Sequence, residues 1–428
     1  MMFSTAATLL ALTPLALPSN EPAPAADAAA PDAAPADDRD EIAELERRID
    51  LLSEEIESLQ LGDTRPPLGR GAFGFGPAAS RIYDTATEDV SIGGYGELRF
   101  DEVQGGNDEA DLHRAIVYLG YRFSENWLLN TEFEYEHGTV SGDDDSPGSV
   151  SVEFAYVEYQ HHDAFGVRVG LLLVPVGIVN EWHEPTLFLS ANRPFVEQRI
   201  IPTTWRENGA GVFGSIGEDF DYRVYVLNGL DANGFSSNGI RGGRQKGGKA
   251  KADDLAVAAR LDYVGTPGLT VGGSIYSGGS GQDLGITVNT TIVEAHADYR
   301  ADGLHLRGLF ATSDVDDVAE LNGALGLAGA DSVGERQEGF YVEAGYDLLH
   351  GCTCGQSLTP FVRFEALDTQ AEVPDGFSRN PARDREYVTF GVAWSPIPEL
   401  VFKADYVDGD NEAGTEPDLF RLGMGWIF

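Results

Sequence analysis

The chain has 428 residues, 29 Lys+Arg against 70 Asp+Glu, and a formal net charge of −41. That balance excludes a nucleic-acid binder that works through a global positive field. Two cysteines, Cys352 and Cys354, make neither a disulfide scaffold nor a zinc-ligand spacing. An aromatic share of 10% argues against a wholly disordered acidic chain. A mean hydropathy of −0.20, with no apolar run of about 18–20 residues, argues against a bundle of membrane-spanning helices. A large, Gly-rich, aromatic, acidic β protein is what remains.

Residues 1–20 carry no charge, and Phe3 to Leu17 form an apolar stretch of the length found in secretory signal peptides. The segment is expected to be such a signal, with its cleavage point open and without the usual basic residue near Met1. A disordered N-terminus is the alternative. Residues 21–39, rich in Pro, Ala and Asp, read as an extended spacer. In 40–61, Ile42, Leu45, Ile49, Leu52, Ile56 and Leu59 alternate in steps of three and four and share one seam. The pattern predicts a coiled-coil helix and self-association, with a lone amphipathic helix as the alternative. Residues 62–89, with Pro66, Pro67, Gly69, Gly71, Gly74 and Gly76, read as a flexible linker.

From Val90 the period changes to two. Residues 90–428 break into about sixteen segments of some ten residues bounded by Gly, Asp, Asn or Pro. In one, Trp127, Leu129, Thr131, Phe133 and Tyr135 alternate with Asn130, Glu132, Glu134 and Glu136; in another, Leu304, Leu306 and Phe310 alternate with His305 and Arg307. A soluble sandwich also alternates, so connection lengths carry the decision. Tight connections (Phe123–Asn126, His162–Ala164, Gly217–Asp219, Gly265–Gly268, Arg300–Gly303, Leu349–Gln356, Pro396–Glu399) alternate with longer ones. The longer set is Asp101–Asp111, Gly138–Gly148, Pro175–Asn208, Gly229–Asp253, Ser313–Gln337, Asp368–Asp384 and Asp408–Pro417, with Ser277–Gly285 short. Aromatic residues sit near strand ends, and the chain closes on Phe428, which fits a barrel-assembly signal. The expected fold is all-β: a sixteen-stranded antiparallel transmembrane β-barrel with an N-terminal periplasmic coiled-coil helix.

Three runs carry a family likeness: Arg168-Val-Gly-Leu-Leu-Leu-Val-Pro-Val-Gly, Asn180-Glu-Trp-His-Glu-Pro with Asn192-Arg-Pro, and Ile200-Ile-Pro-Thr-Thr-Trp-Arg-Glu-Asn-Gly-Ala-Gly. In these the chain resembles the phosphate-selective porin O and P family. The resemblance implies a trimeric outer-membrane porin with a constricting third loop, an anion path lined by arginine and lysine, and a coiled-coil extension in some members.

A barrel of this size is expected to hold water. The connection 175–208 is expected to fold inward as a constriction, bringing Arg193, Arg199 and Arg206 together with Glu181, Glu184 and Glu197. Pore-lining cations are expected at Arg99, Arg114, Arg168, Arg223, Arg260, Arg307, Arg363, Lys403 and Arg421. Rows of guanidinium groups suit phosphate oxygens. Carboxylates at Glu97, Glu132, Glu134, Glu136, Asp262, Glu294, Glu343, Glu365 and Asp405 share the lumen, however, so a less selective small-solute pore stands beside phosphate selectivity. Arg241, Arg244, Lys246, Lys249 and Lys251 form a basic outer loop that funnels anions, binds lipopolysaccharide phosphates, or is simply solvated.

The eight histidines show no metal spacing, and no Gly-x-Ser-x-Gly elbow or phosphate-cradling loop is present. The reading is therefore a non-enzymatic passive channel without cofactor or metal. Its expected partners are its own copies, outer-membrane lipid and lipopolysaccharide, and small anions or other solutes. A structural anchor tying the outer membrane to the cell wall is the rival.

Overall fold

The structure, a computed structural model, describes residues 74–84, 89–138 and 148–428. The chain divides into two compact units, Met1–Thr64 and Arg65–Phe428, and every described residue belongs to the second. The expected signal peptide, spacer and coiled coil lie outside the described residues.

Sixteen strands follow one another: β1 (Val90–Val103), β2 (Glu109–Arg122), β3 (Trp127–Glu136), β4 (Ser149–His162), β5 (Phe165–Leu173), β6 (Arg206–Ile216), β7 (Phe220–Asn228) and β8 (Leu255–Thr266). The second half comprises β9 (Leu269–Gly279), β10 (Asn289–Ala301), β11 (Leu304–Val315), β12 (Arg336–Tyr346), β13 (Ser357–Glu372), β14 (Asp384–Ile397), β15 (Leu400–Asn411) and β16 (Leu419–Ile427). Each pairs antiparallel with its sequence neighbours, and β1 pairs with β16 to close the barrel. Gly94 and Phe428 exchange both backbone hydrogen bonds at 2.9 Å, so the last residue completes the seam. The expected sixteen-stranded barrel is the observed fold.

The period of two has its predicted consequence. Leu304, Leu306 and Phe310 are exposed while His305 and Arg307 are buried, and β7 puts Val224 and Val226 outside with Arg223 and Tyr225 inside. Every strand presents at least one large apolar side chain on the outer face. A continuous apolar wall of that extent suits hydrocarbon rather than water.

Connections alternate between tight turns at one end and longer loops at the other. One expected long connection is shorter than predicted: β1 runs to Val103 and β2 starts at Glu109, because Asp101 pairs with Glu109 and Asp111 with Arg99 in the ladder instead of lying in a loop. Among the described residues, α1 (Arg81–Asp84) precedes β1, and α2 (Phe195–Arg199) and α3 (Val318–Leu325) lie in connections. Cys352 and Cys354 pair as a disulfide in the tight β12–β13 connection.

The part of the presumed linker that is described does not behave as a linker. Phe75, Ala78, Ala79 and Ile82 are buried inside the tight-turn end of the barrel. The Phe75 ring packs against those of Phe154 (5.4 Å) and Tyr156 (5.9 Å). Glycines at 74 and 76 read as flexibility in the sequence. In the structure they permit close approach, since a Cβ at Gly76 would collide with the Glu184 carboxylate.

Candidate functional site in the barrel lumen

The connection between β5 and β6 folds into the barrel. Its apolar residues Val174, Val176, Ile178, Val179, Val196, Ile200, Ile201 and Trp205 are all at most 1% exposed. Asn180 closes its base: the side-chain amide donates to Val174 O (2.7 Å) and Trp205 O (2.9 Å), and its oxygen accepts from Trp205 N (2.6 Å). Asn180 belongs to a run singled out in the sequence, but nothing in the sequence marks it as a clasp.

A loop buried in this way takes its backbone polar groups out of water, and each needs a partner. The wall supplies them. Lys403 Nζ donates to Ser190 O at 2.9 Å, Arg300 and Arg307 both donate to Leu187 O (2.8 and 3.2 Å), and Arg260 donates to Gly177 O. Asp405 accepts from Ala191 N (2.6 Å) and Ser190 Oγ (3.0 Å), and Glu365 accepts from Val196 N (3.2 Å). The loop is thus tied to strands on widely separated parts of the wall.

These contacts change the reading of the pore-lining cations. All nine face inward, yet Arg114, Arg168, Arg223, Arg260, Arg307, Arg363, Lys403 and Arg421 are each at most 5% exposed. Arg114 pairs with Glu97 (3.0 Å), Arg168 with Glu158 (2.6 Å), Arg223 with Asp262 (2.7 Å), Arg307 with Asp298 (2.5 Å), Arg363 with Glu365 (2.8 Å) and Arg421 with Asp405 (2.6 Å). Their guanidinium groups meet carboxylates and the inserted loop rather than water. Only Arg99 among the nine is half-buried. The bulge in β4 adds an inward carboxylate at Glu153 that strict alternation hides, and Glu158 joins the lining further along the same strand.

The six loop residues divide. Glu184 reaches the N-terminal segment, accepting from Ala78 N and Ala79 N at 3.0 Å. Burial raises its carboxyl to about 7, against the lowering effect of those two donors. Glu197 accepts from Val179 N and Tyr341 OH, both at 2.6 Å. Glu181 lies 3.1 Å from Arg223. Arg206 opens β6 and pairs with Glu153 at 3.0 Å. Arg193 is buried, with Nε and one terminal nitrogen lacking hydrogen-bond partners. Arg199, in the last turn of α2, is half-buried and faces Arg385, Tyr387 and Glu416. His183, passed over in the sequence, sits between Glu132 (3.4 Å) and Glu153 (3.2 Å) and donates from Nδ1 to Asn180 O at 2.9 Å. Burial opposes its charge, but the two carboxylates outweigh burial and hold its pKa at about 10.

The basic outer loop is not a free-standing surface loop. Leu230, Ala232, Phe235 and Ile240 are buried, and Ser237 and Asn238 are held by Thr369, Arg383 and Arg385, so the connection crosses the mouth from β7 to β13 and β14. Arg241 donates to Gln198 O (3.3 Å) and Arg244 to Thr204 O (2.7 Å), both on the third loop. Lys251 pairs with Asp231 (2.8 Å) and Asp283 (2.5 Å), and Lys249 is exposed.

Between the two loops and β3–β4 lies a cavity of about 500 Å³. Arg206, Arg241, Arg244 and Lys246 face it from one set of walls, and Glu134, Glu136, Ser149 and Ser151 from the other. Burial and then Arg244 push Arg241 down to about 8; burial and then Arg206 push Arg244 down to about 10. A guanidinium keeps its charge at any ordinary pH. Among the described residues, both guanidinium groups donate to backbone carbonyls rather than to a carboxylate.

A closed sixteen-stranded barrel with an inserted third loop defines the porin fold. Solved structures of that kind are similar: the anion-selective porin from Comamonas acidovorans (TM-score 0.53, 12% identity, covering 79% of this chain and 99% of that one) and OmpF of Salmonella typhi in complex with daunomycin (TM-score 0.51, 14%, 79% and 97%). A loop-deleted form of OmpT, an outer membrane protein of Vibrio cholerae, gives a TM-score of 0.52 at 10% identity, covering 79% and 99%. No protein-family model matches the chain. The chain belongs to one family with an uncharacterized protein of Aquifex aeolicus (strain VF5), 36% identical over 384 residues that make up 86% of this chain and 87% of the relative.

Proposed function

We propose that the protein is an outer-membrane porin, a passive channel for small solutes in which anions are favoured. The outer cavity carries this reading, because it gathers four cations against two carboxylates in a chain with a net charge of −41. Low-dielectric walls around such a cluster concentrate anions at the mouth. Phosphate is the finer candidate, since guanidinium forks match its oxygens. The third loop, 175–208, acts as the constriction, with the paired arginines of the wall holding it in place. Residues 1–20 act as an export signal, and 21–39 and 40–61 as spacer and coiled coil, in a trimer set in lipid and lipopolysaccharide.

The burial of the inward cations favours a second reading, an anchor that does not conduct. Planar-bilayer recording separates the two, because an anchor gives no channels. Under a salt gradient, the reversal potential of the porin should show anion preference, and phosphate should compete with chloride current. The variant R241E/R244E should move the ratio toward cations. Cation preference in the unaltered protein sinks the anion reading.

A further inference from the structure

The outer end of β2 and β3 holds a constellation that sequence spacing hides. Asp111 and His113 lie two apart on β2 and so share a face. The register that sets Arg114 opposite Glu136 brings His137 beside them, and His137 N donates to His113 O at 3.2 Å. Asp111 Oδ2 lies 2.9 Å from His137 Nδ1 and 3.3 Å from His113 Nδ1. The three ligand atoms all fall within 4.8 Å of one another.

We propose that Asp111, His113 and His137 bind a zinc-class divalent metal ion at the outer mouth of the barrel. The donor set is two imidazole nitrogens and one carboxylate oxygen, the mixture that zinc accepts and that calcium and magnesium, which prefer oxygen alone, do not. With metal–ligand bonds of about 2.0–2.2 Å, the edge of a tetrahedron is roughly 3.3–3.5 Å. The observed separations of 2.9 and 3.3 Å need only a small outward shift to admit the ion. Three protein ligands leave a fourth position for water. The side chains are 14–30% exposed, so an ion reaches them from outside.

Arg99 currently occupies part of this space, with one terminal nitrogen 2.9 Å from His113 Nδ1. Because a guanidinium can only donate, that contact leaves His113 Nδ1 an acceptor, the state a metal ligand needs. It also names the competitor the ion must displace. An alternative seat exists on the same face of β1, where Asp101 Oδ1 is buried without a hydrogen-bond partner. The second cluster of this type, Glu132, Glu153 and His183, is fully buried and already neutralised by the His183 imidazolium and Arg206, so it offers an ion neither access nor unmet charge.

The test is calorimetric titration of zinc chloride into the detergent-solubilised full-length protein, with cobalt(II) absorption as the report on tetrahedral geometry. We expect one zinc per chain, no displacement by equal calcium or magnesium, and an intense visible cobalt band. His113→Asn and His137→Asn should each weaken binding by at least about tenfold, the scale of even indirect perturbations at metal sites. Arg99→Gln should tighten binding, an effect that a purely structural triad does not produce. A His161→Ala/His162→Ala variant, altered in the tight turn at the other end, should bind as the parent does. Absence of saturable zinc binding overturns the proposal. So does binding that survives His113→Asn and His137→Asn in folded barrels, or that disappears in the His161/His162 variant.

Discussion

Replacing Glu184 with Ala tests whether the third loop holds the N-terminal segment in the lumen. The carboxylate serves two buried backbone N–H groups, those of Ala78 and Ala79, each at 3.0 Å. Truncation leaves both donors unmet, at about 1–3 kcal/mol each. Removing a carboxyl whose burial has already raised its pKa to about 7 offsets part of that loss, leaving about 2–3 kcal/mol against docking. Other anchors persist: Asn130 donates to Ala79 O (2.9 Å), Arg122 donates to Ile82 O (2.6 Å), and Phe75 keeps its aromatic seat. The segment should therefore open more often without leaving. At 1.4 kcal/mol per factor of ten, opening rises roughly 30- to 150-fold. A thiol placed at Ser80, which is 1% exposed, reports opening as its rate of labelling in a background where Cys352 and Cys354 are serine. Gly76→Ala, whose Cβ would displace the same carboxylate, should act in the same direction. Labelling of Glu184→Ala within about threefold of the parent rate would refute the latch and leave the aromatic seat as the whole of the docking energy.

The same carboxyl sets a pH dependence. Its folded pKa of about 7 lies above the ordinary glutamate value, so the docked state binds the proton more tightly. Docking should weaken as pH rises from about 4.5 to about 7 and level off beyond, and labelling rates at pH 5 and pH 8 check the sign. Asn180→Ala removes three hydrogen bonds at the base of the third loop and should cost about 2–4 kcal/mol, read as a lower unfolding temperature by heat-dependent gel mobility. Val224→Arg, at the middle of the outer face of β7, should cost about 2–4 kcal/mol when the protein folds into lipid vesicles. A cost near zero there would deny that this face meets hydrocarbon.

The barrel was legible because its signals are local and repeated. Alternation in β3 and β11 and tight turns at one end follow from chain-neighbour pairing, which needs no long-range information, whereas the Phe428–Gly94 seam joins the two ends of the barrel. The inserted pieces were legible only in part. Length and aromatic content marked the third loop, but Gly74 and Gly76, which read as linker, belong to a tightly packed segment, and nothing local reports what covers Phe75. Glu153 was hidden because a bulge breaks the period by one residue. His113 and His137 stand far apart in sequence, and only the β2–β3 register brings them together.

The hardest distinction was between arginines that hold structure and arginines that meet solute, because in sequence both are inward-facing cations. The structure supplies a physical criterion. Arg363, buried between Glu343 (3.2 Å) and Glu365 (2.8 Å), sits in a place where its charge is already answered. Removing it would strand two carboxylates in the lumen, a structural penalty that is large whatever passes through the barrel. Arg241 and Arg244 differ: they donate to loop carbonyls, border a cavity and, among the described residues, form no ion pair with a carboxylate. Their neutralisation to Gln should therefore leave unfolding temperature nearly unchanged while altering ion preference, and Arg363→Gln should do the reverse. If all three variants moved stability alike and selectivity not at all, unanswered charge at the mouth would have no bearing on what the barrel admits.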